Sequence, residues 1–110
     1  MEERRLHRRI PREVSLSVSG IETTLHTVNV SLRGMFIAAF SLPSIGSEQE
    51  IQISIANESA PLRMRGMVTW TSSGENRDDF PKGFGVRITW MTAGDWDRWI
   101  AFVNECMNSA

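Results

Sequence analysis

Along most of this chain apolar residues alternate with polar ones, and this alternation constrains the fold more than any other feature. Val14, Leu16 and Val18 are separated by serines, and later segments repeat this period or are rich in residues that favour strands. A period of two is typical of strands that are buried on one face. The predicted strands cover residues 14–18, 23–30, 35–38, 51–55, 62–70 and 84–90.

The last two strands each carry an apolar face that we expect to point into the core. These faces consist of Leu62, Met64, Gly66, Val68 and Trp70 in one strand, and of Phe84, Val86, Ile88 and Trp90 in the other. A glycine in the middle of a strand favours a bulge or a tight bend, and we expect one of these at Gly66.

After residue 92 the spacing of apolar residues changes to the three and four of an amphipathic helix. The stripe consists of Trp96, Trp99, Ile100, Val103 and Met107. Thr92 is a candidate N-cap residue, and Asp95 follows it by three positions, as in a capping box. An antiparallel sheet must protect its edges, so about six short strands and one helix favour a small closed or split barrel with the helix packed beside it.

The length of 110 residues and the distribution of charge limit the possible functions. One domain is expected at this length. The formal net charge is −1 and the isoelectric point is near 6.1, which excludes a histone-like binder of long polyanions. The positive charge is concentrated, because five arginines fall within residues 4–12. The planar fork of arginine suits bidentate binding of phosphates and guanine edges.

No arrangement of catalytic or metal-binding residues stands out. His7 and His26 are the two histidines and Cys106 is the one cysteine, so neither an intramolecular disulfide nor a pair of cysteine ligands is expected. We therefore expect a protein that is not an enzyme and holds no metal or other cofactor. The apolar runs are too short for a membrane helix or a signal peptide, which predicts a cytoplasmic protein without membrane insertion.

Two short motifs carry the remaining chemistry, at residues 5–9 (RLHRR) and 29–34 (NVSLRG). Seen alone, the first can be a solvated tail, and the second can be a hairpin turn whose polar side chains bond nearby backbone. The functional interpretation is that the arginines bind phosphate or the O6/N7 edge of guanine. Asn29 and Ser31 would then present an amide and a hydroxyl to a purine from one side. Gly34 can take a positive φ or let a flat ligand approach closely.

Together the two motifs resemble the signature of the PilZ domain, the bacterial receptor module for cyclic di-GMP. That signature is RxxxR near the N-terminus and a later [D/N]xSxxG, and residues 5–9 and 29–34 match both. The likeness extends to the strand at 83–88 and to the closing helix. It implies a mainly all-β protein, a six-stranded antiparallel PilZ-type β-barrel with one C-terminal α-helix.

The resemblance also implies a division of the chain and a function. Residues 1–12 would form a flexible N-terminal switch segment that carries RxxxR, and residues 13–110 a single barrel domain with its helix at 93–108. The implied function is that of a cyclic di-GMP receptor or adaptor. Ligand binding would change the conformation of the arginine-rich segment, and the change would signal to an unidentified partner protein.

The resemblance assigns binding of cyclic di-GMP to six residues. They are Arg4, Arg5, Arg9, Asn29, Ser31 and Gly34. The two RxxxR arginines would grip phosphate and guanine, the asparagine and serine would bind guanine, and the glycine would keep the turn open. An arginine directly before RxxxR accompanies an intercalated pair of ligand molecules in this family, so Arg4 predicts two molecules of cyclic di-GMP. Whether Arg65 or Arg87, on outward faces of later strands, reaches the ligand is left open.

Two other functions fit a barrel of this size. One is a PilZ-like adaptor that binds no ligand and acts through protein contacts alone, which the two intact motifs disfavour. The other is a barrel that binds single-stranded nucleic acid, which requires exposed aromatic residues interleaved with basic ones. All four tryptophans are predicted on apolar faces, where core packing accounts for them, so this alternative is disfavoured and no DNA or RNA partner is expected. Phe36 and Phe80 are not assigned to a face, so the alternative stays open.

Overall fold

Seven strands and one helix follow one another in this computed structural model, which describes residues 9–55, 60–75 and 81–109. The strands are β1 (Ile10–Pro11), β2 (Ser15–Val18), β3 (Leu25–Val30), β4 (Gly34–Ala38), β5 (Glu48–Ile53), β6 (Leu62–Ser72) and β7 (Gly83–Trp90). The helix α1 spans Ala93–Ser109.

Strands β2 to β7 close into an antiparallel barrel. Their order is β3-β2-β5-β6-β7-β4, and pairing between β3 and β4 closes the ring. Each of these six strands pairs on both sides, so closure protects the edges of the sheet. The predicted six-stranded barrel with one C-terminal helix is confirmed. The two-residue β1 is an addition to it, in which Ile10 pairs with Val30 and Pro11 with Asn29.

The helix α1 contributes its inner face to the core of the barrel. Trp99, Val103 and Cys106 are buried and belong to the same apolar cluster as the inward residues of the strands. The indole of Trp99 also donates a hydrogen bond from Nε1 to the carbonyl oxygen of Leu32, 3.2 Å away. Because Leu32 lies in the turn between β3 and β4, the helix is bonded directly to the second sequence motif.

The first turn of α1 is fastened to β6. As predicted, Thr92 Oγ1 caps the helix by accepting a hydrogen bond from the amide of Asp95 at 3.1 Å. The carboxylate of Asp95 accepts from the backbone amide of Arg63 at 3.3 Å and from Nη1 of Arg98 at 3.2 Å. The buried stripe of the helix is narrower than predicted, because Ile100 lies beyond its margin and is 40% exposed.

Three β-bulges interrupt the alternation of the barrel strands. At each one, a strand advances by two residues while its partner advances by one. The extra residues are Val28 in β3, Thr69 in β6 and Thr89 in β7. Because successive side chains point to opposite faces, one extra residue turns the next side chain to the other face of the sheet.

The bulges make two predictions about tryptophans wrong. Trp70 pairs with Gly85 and is half-buried outside the apolar core, although a regular strand would have pointed it inward. Trp90 pairs with Arg65 and is 46% exposed, for the same reason. The register shifts beside Gly66, where a bulge or a tight bend was expected, but the extra residue belongs to the partner strand, at Thr89 of β7.

Candidate ligand-binding site

The two sequence motifs meet beside β3. Arg9, the last residue of RxxxR, donates a hydrogen bond from Nη1 to Oδ1 of Asn29, 3.3 Å away. The pairing of Pro11 with Asn29 holds the segment that follows Arg9 against β3 and so brings the two side chains together. The rest of the first motif, including Arg4 and Arg5, lies outside the described residues.

Asn29 faces outward because of the bulge at Val28. Thr27 pairs with the core residue Ile37, and in a regular strand the residue two positions later would share its orientation. With Val28 inserted, Asn29 pairs instead with Phe36, which lies outside the core cluster. A position that simple alternation would turn inward therefore lies on the outer face of the sheet, where Asn29 is 9% exposed and is bonded to Arg9.

Residues 31–34, which we call the motif turn, run from the end of β3 to the first residue of β4 in a tightly bonded turn. The amide of Ser31 donates to the carbonyl of Gly34 at 2.8 Å. The hydroxyl of Ser31 accepts from the amide of Gly34 at 3.1 Å and donates to its carbonyl at 3.3 Å. The carbonyl of Arg33 accepts from the amide of Ile88 at 2.7 Å. Both β7 and α1 therefore hold this turn in place.

Gly34 serves the turn through close packing. Among the described residues the glycines with a positive φ are Gly20, Gly46 and Gly74, so the positive φ considered for Gly34 is not found. A Cβ at this position would lie 2.3 Å from the carbonyl oxygen of Val86. The structure therefore needs a glycine here because β4 and β7 approach each other so closely.

A pair of aromatic rings lies next to Asn29, and the alternation of the sequence does not predict it. Phe36 is the neighbour of Asn29 across the sheet, and Trp70 follows beyond Gly85. The two ring centroids are 4.8 Å apart and the ring planes are inclined by 32°. A Cβ on Gly85 would lie 2.2 Å from Nε1 of Trp70, so this glycine provides the space for the indole. We call these four residues the outer row.

The outer row and the neighbouring Ser31 carry groups that can bind the edge and the face of a purine, and of these Asn29 and Ser31 are 9% and 8% exposed in this structure. The amide nitrogen of Asn29 is a donor for the acceptors of guanine, and the hydroxyl of Ser31 has a second lone pair for a guanine N–H. The indole of Trp70 is half-buried, and an aromatic ring of this kind can stack on a base. Phe36 is fully buried, so its contribution is to support the indole from the side.

The structure separates the two arginines whose relation to the ligand the sequence leaves open. Arg87 is exposed and pairs with Gly34, which puts it beside the motif turn. Arg65 pairs with Glu50 on β5 and with Trp90 at the end of β7, on strands that do not carry the motifs. The geometry therefore favours Arg87 as an additional residue near the site.

Within the described ranges, no three His, Cys, Asp or Glu residues are grouped so that they could hold a metal ion. No helix in this part of the chain is both long and apolar enough to cross a membrane.

Comparisons with known proteins agree with this fold. The family model of the PilZ domain matches residues 3–105. A comparison with curated proteins finds no match. Among solved structures, the chain is similar to the Bacillus subtilis inhibitor of motility (MotI/DgrA), with a TM-score of 0.80 and 13% sequence identity. The similarity covers 98% of this chain and 53% of that one, so the chain spans about half the length of that protein, and the likeness concerns the fold.

Proposed function

The chain belongs to the PilZ domain family, and on that premise we propose that it is a bacterial cytoplasmic receptor for the second messenger cyclic di-GMP. The ligand binds between the N-terminal arginine-rich segment and the outer row. The protein acts by binding and signalling, without a catalytic step.

The contact between Arg9 and Asn29 is the observation that carries this proposal. The two residues are twenty positions apart and belong to different motifs, yet their side chains are hydrogen-bonded. A solvated tail and an independent hairpin turn would not need to meet. Their contact supports one site built from both motifs.

The ligand is a compact dianion with two guanine bases, and the proposed site has a group for each part. The guanidinium groups of Arg5 and Arg9 bind phosphate, and Asn29 and Ser31 bind guanine edges. Charge-assisted hydrogen bonds contribute about 1.5–3 kcal/mol each, and stacking on an aromatic ring contributes about 1–3 kcal/mol per base. A few such contacts are enough for micromolar affinity, which corresponds to about 8 kcal/mol.

The position of Arg4 suggests how many ligand molecules bind. The hydrogen bond between Arg9 and Asn29 suggests how ligand binding becomes a signal. Arg4 directly precedes the motif, which favours an intercalated pair of ligand molecules. A guanine that binds Asn29 and a phosphate that binds Arg9 replace the hydrogen bond between these two side chains. Residues 1–12 then change their position relative to the barrel, and a partner protein reads this change.

Calorimetric titration with cyclic di-GMP tests the proposal. The unmodified chain is expected to bind the ligand saturably at a ratio near two and not to bind GMP. Arg9→Ala and Trp70→Ala should each weaken binding by about tenfold or more, because they remove a charged contact and a stacking face. Arg63→Ala is the matched control, since Arg63 is an exposed arginine of β6 outside the outer row, and its affinity should equal that of the unmodified chain.

Unchanged affinity in Arg9→Ala would contradict the site as described. A ratio near one would contradict the role given to Arg4. If the unmodified chain gives no binding at all, the ligand-free adaptor becomes the better account of the protein.

A further inference from the structure

An open groove of about 700 Å³ lies against β2, β5, β6 and the first turn of α1. It is lined by aromatic, charged and hydroxyl side chains, among them Ser17, Glu50, Arg63, Arg65, Trp90 and Asp95. Neither the residues of the outer row nor those of the motif turn line it. The groove is therefore a second concave surface, separate from the proposed ligand site.

Trp90 and Arg65 form an anchoring pair in this groove. The Arg65 Cζ lies 5.3 Å from the centroid of the Trp90 ring, within the range of a cation–π interaction. Trp90 is 46% exposed, because the bulge at Thr89 turns it out of the core. Tryptophan and arginine are enriched among the few residues that supply most of the energy of protein interfaces.

The charges in the groove are mixed. Arg63 and Arg65 lie two residues apart on the outward face of β6, and within the described part of the chain neither guanidinium forms an ion pair. Glu50 stands opposite Arg65 on β5, while the carboxylate of Asp95 is bonded to the Arg63 amide and to Arg98. The two arginines favour an isolated acidic group, whereas the two carboxylates disfavour a continuous polyanion such as a nucleic acid.

We propose that this groove binds a segment of a partner protein in which a carboxylate side chain neighbours an aromatic or aliphatic one. The apolar side chain packs against Trp90, and the carboxylate bonds to Arg63 and Arg65. The open shape suits a chain segment, because sites for small molecules enclose most of their ligand. This site goes beyond the proposed binding of cyclic di-GMP and does not depend on it.

The helix α1 connects the groove to the motif turn. Asp95 in its first turn borders the groove, and Trp99, one helical turn later, is bonded to the carbonyl of Leu32. The helix that forms one wall of the groove is therefore also hydrogen-bonded to the motif turn.

Selection of linear peptides from a random phage-displayed library against the full chain tests this proposal. Enriched peptides are expected to carry Asp or Glu within two or three positions of an aromatic or aliphatic residue. Fluorescence anisotropy with the synthetic peptides should show binding weakened at least about tenfold in Trp90→Ala and in Arg65→Ala. Phe40→Ala is the matched control, because Phe40 is 90% exposed and does not line the groove, and its binding should be unchanged.

Several results would overturn the proposal. These are the absence of any enriched peptide that binds in solution, enriched peptides without a carboxylate, and equal binding by Trp90→Ala. Loss of binding in Phe40→Ala alone would assign docking to the loop after β4. Tighter Trp90-dependent binding of a single-stranded RNA 12-mer than of any peptide would identify a nucleic-acid surface.

Binding of cyclic di-GMP to the groove variants is measured in a separate experiment. Trp90→Ala and Arg65→Ala are expected to bind cyclic di-GMP as the unmodified chain does, and peptide binding is measured with and without that ligand. A failure of the receptor proposal therefore leaves the groove result standing, and the reverse also holds.

Discussion

At Gly34 and Gly85 a hydrogen atom in place of a side chain decides how closely neighbouring groups approach. Gly85 leaves room for an indole ring, and Gly34 leaves room for a backbone carbonyl of β7. The two cases differ in how they respond to a methyl group. A side chain can rotate away, whereas a carbonyl in a closed sheet moves with its strand.

Gly34→Ala is therefore expected to destabilise the barrel. The added Cβ would lie 2.3 Å from the Val86 carbonyl oxygen, so β4 and β7 must separate or the turn must distort. Overpacking of this kind costs about 1–3 kcal/mol, and a rigid backbone neighbour puts Gly34→Ala at the upper end. Urea unfolding followed by tryptophan fluorescence measures the loss.

Gly94→Ala is the matched control for this substitution. No atom lies within 4 Å of the Cβ it would add, and the residue is in α1, where alanine is favoured over glycine by up to about 1 kcal/mol. Stabilities of Gly34→Ala and Gly94→Ala that are equal within error would contradict the packing role given to Gly34.

At the scale of the strands, the sequence predicts where elements lie better than it predicts which way their residues face. The period of two is local, so strands and a C-terminal helix can be read from the chain alone. A bulge depends on the register between strands that are distant in sequence. The side chains of Asn29, Trp70 and Trp90 follow bulges, and the orientations expected for the two tryptophans were therefore wrong.

The helix α1 gives a prediction at the same scale. Trp99→Phe keeps an aromatic ring in the core but removes the N–H that binds the Leu32 carbonyl. The loss of one hydrogen bond and of part of a buried ring should lower the free energy of unfolding by about 1–3 kcal/mol. The helix should also open more often, and Cys106 on its buried face, which is 1% exposed, should react faster with a thiol reagent under native conditions.

Trp96→Phe makes the same chemical change at a half-buried position of the helix. The rate at which Cys106 reacts with the thiol reagent in Trp96→Phe should stay closer to the rate in the unmodified chain. Equal acceleration in the two variants would mean that the bond to Leu32 does not hold the helix.

The whole molecule joins its parts through a closed ring of strands and one shared core. The recognition motifs could be found from sequence because they are defined by residue type and spacing. Their contact through Arg9 and Asn29 could not, because it depends on β1 pairing with β3. The groove at Trp90 could not be found from sequence either, since its wall combines strands from the two halves of the chain with the helix.

Calorimetric melting of the full chain tests whether the molecule unfolds as one cooperative unit and whether it binds cyclic di-GMP. Because one core joins the strands and the helix, a single cooperative transition is expected. Cyclic di-GMP at 100 times its dissociation constant should stabilise the folded state by at least about 2.7 kcal/mol, which is the value for a single site. For a domain of this size the melting temperature should then rise by roughly 10 °C or more, whereas GMP should leave it unchanged. Two separate transitions, or a ligand effect confined to one of them, would contradict the expectation.

The bulges also limit how the sequence of such a chain can change during evolution. Successive side chains of a strand point to opposite faces of the sheet. Each bulge adds one residue to a strand and so reverses the face to which the following side chains point. Loss of the single residue Val28 would leave every motif letter in place and yet turn the amide of Asn29 toward the barrel interior. In related sequences these three positions should therefore show substitutions more often than insertions or deletions. The number of residues in a strand, as well as their type, determines which side chains lie on the outer surface.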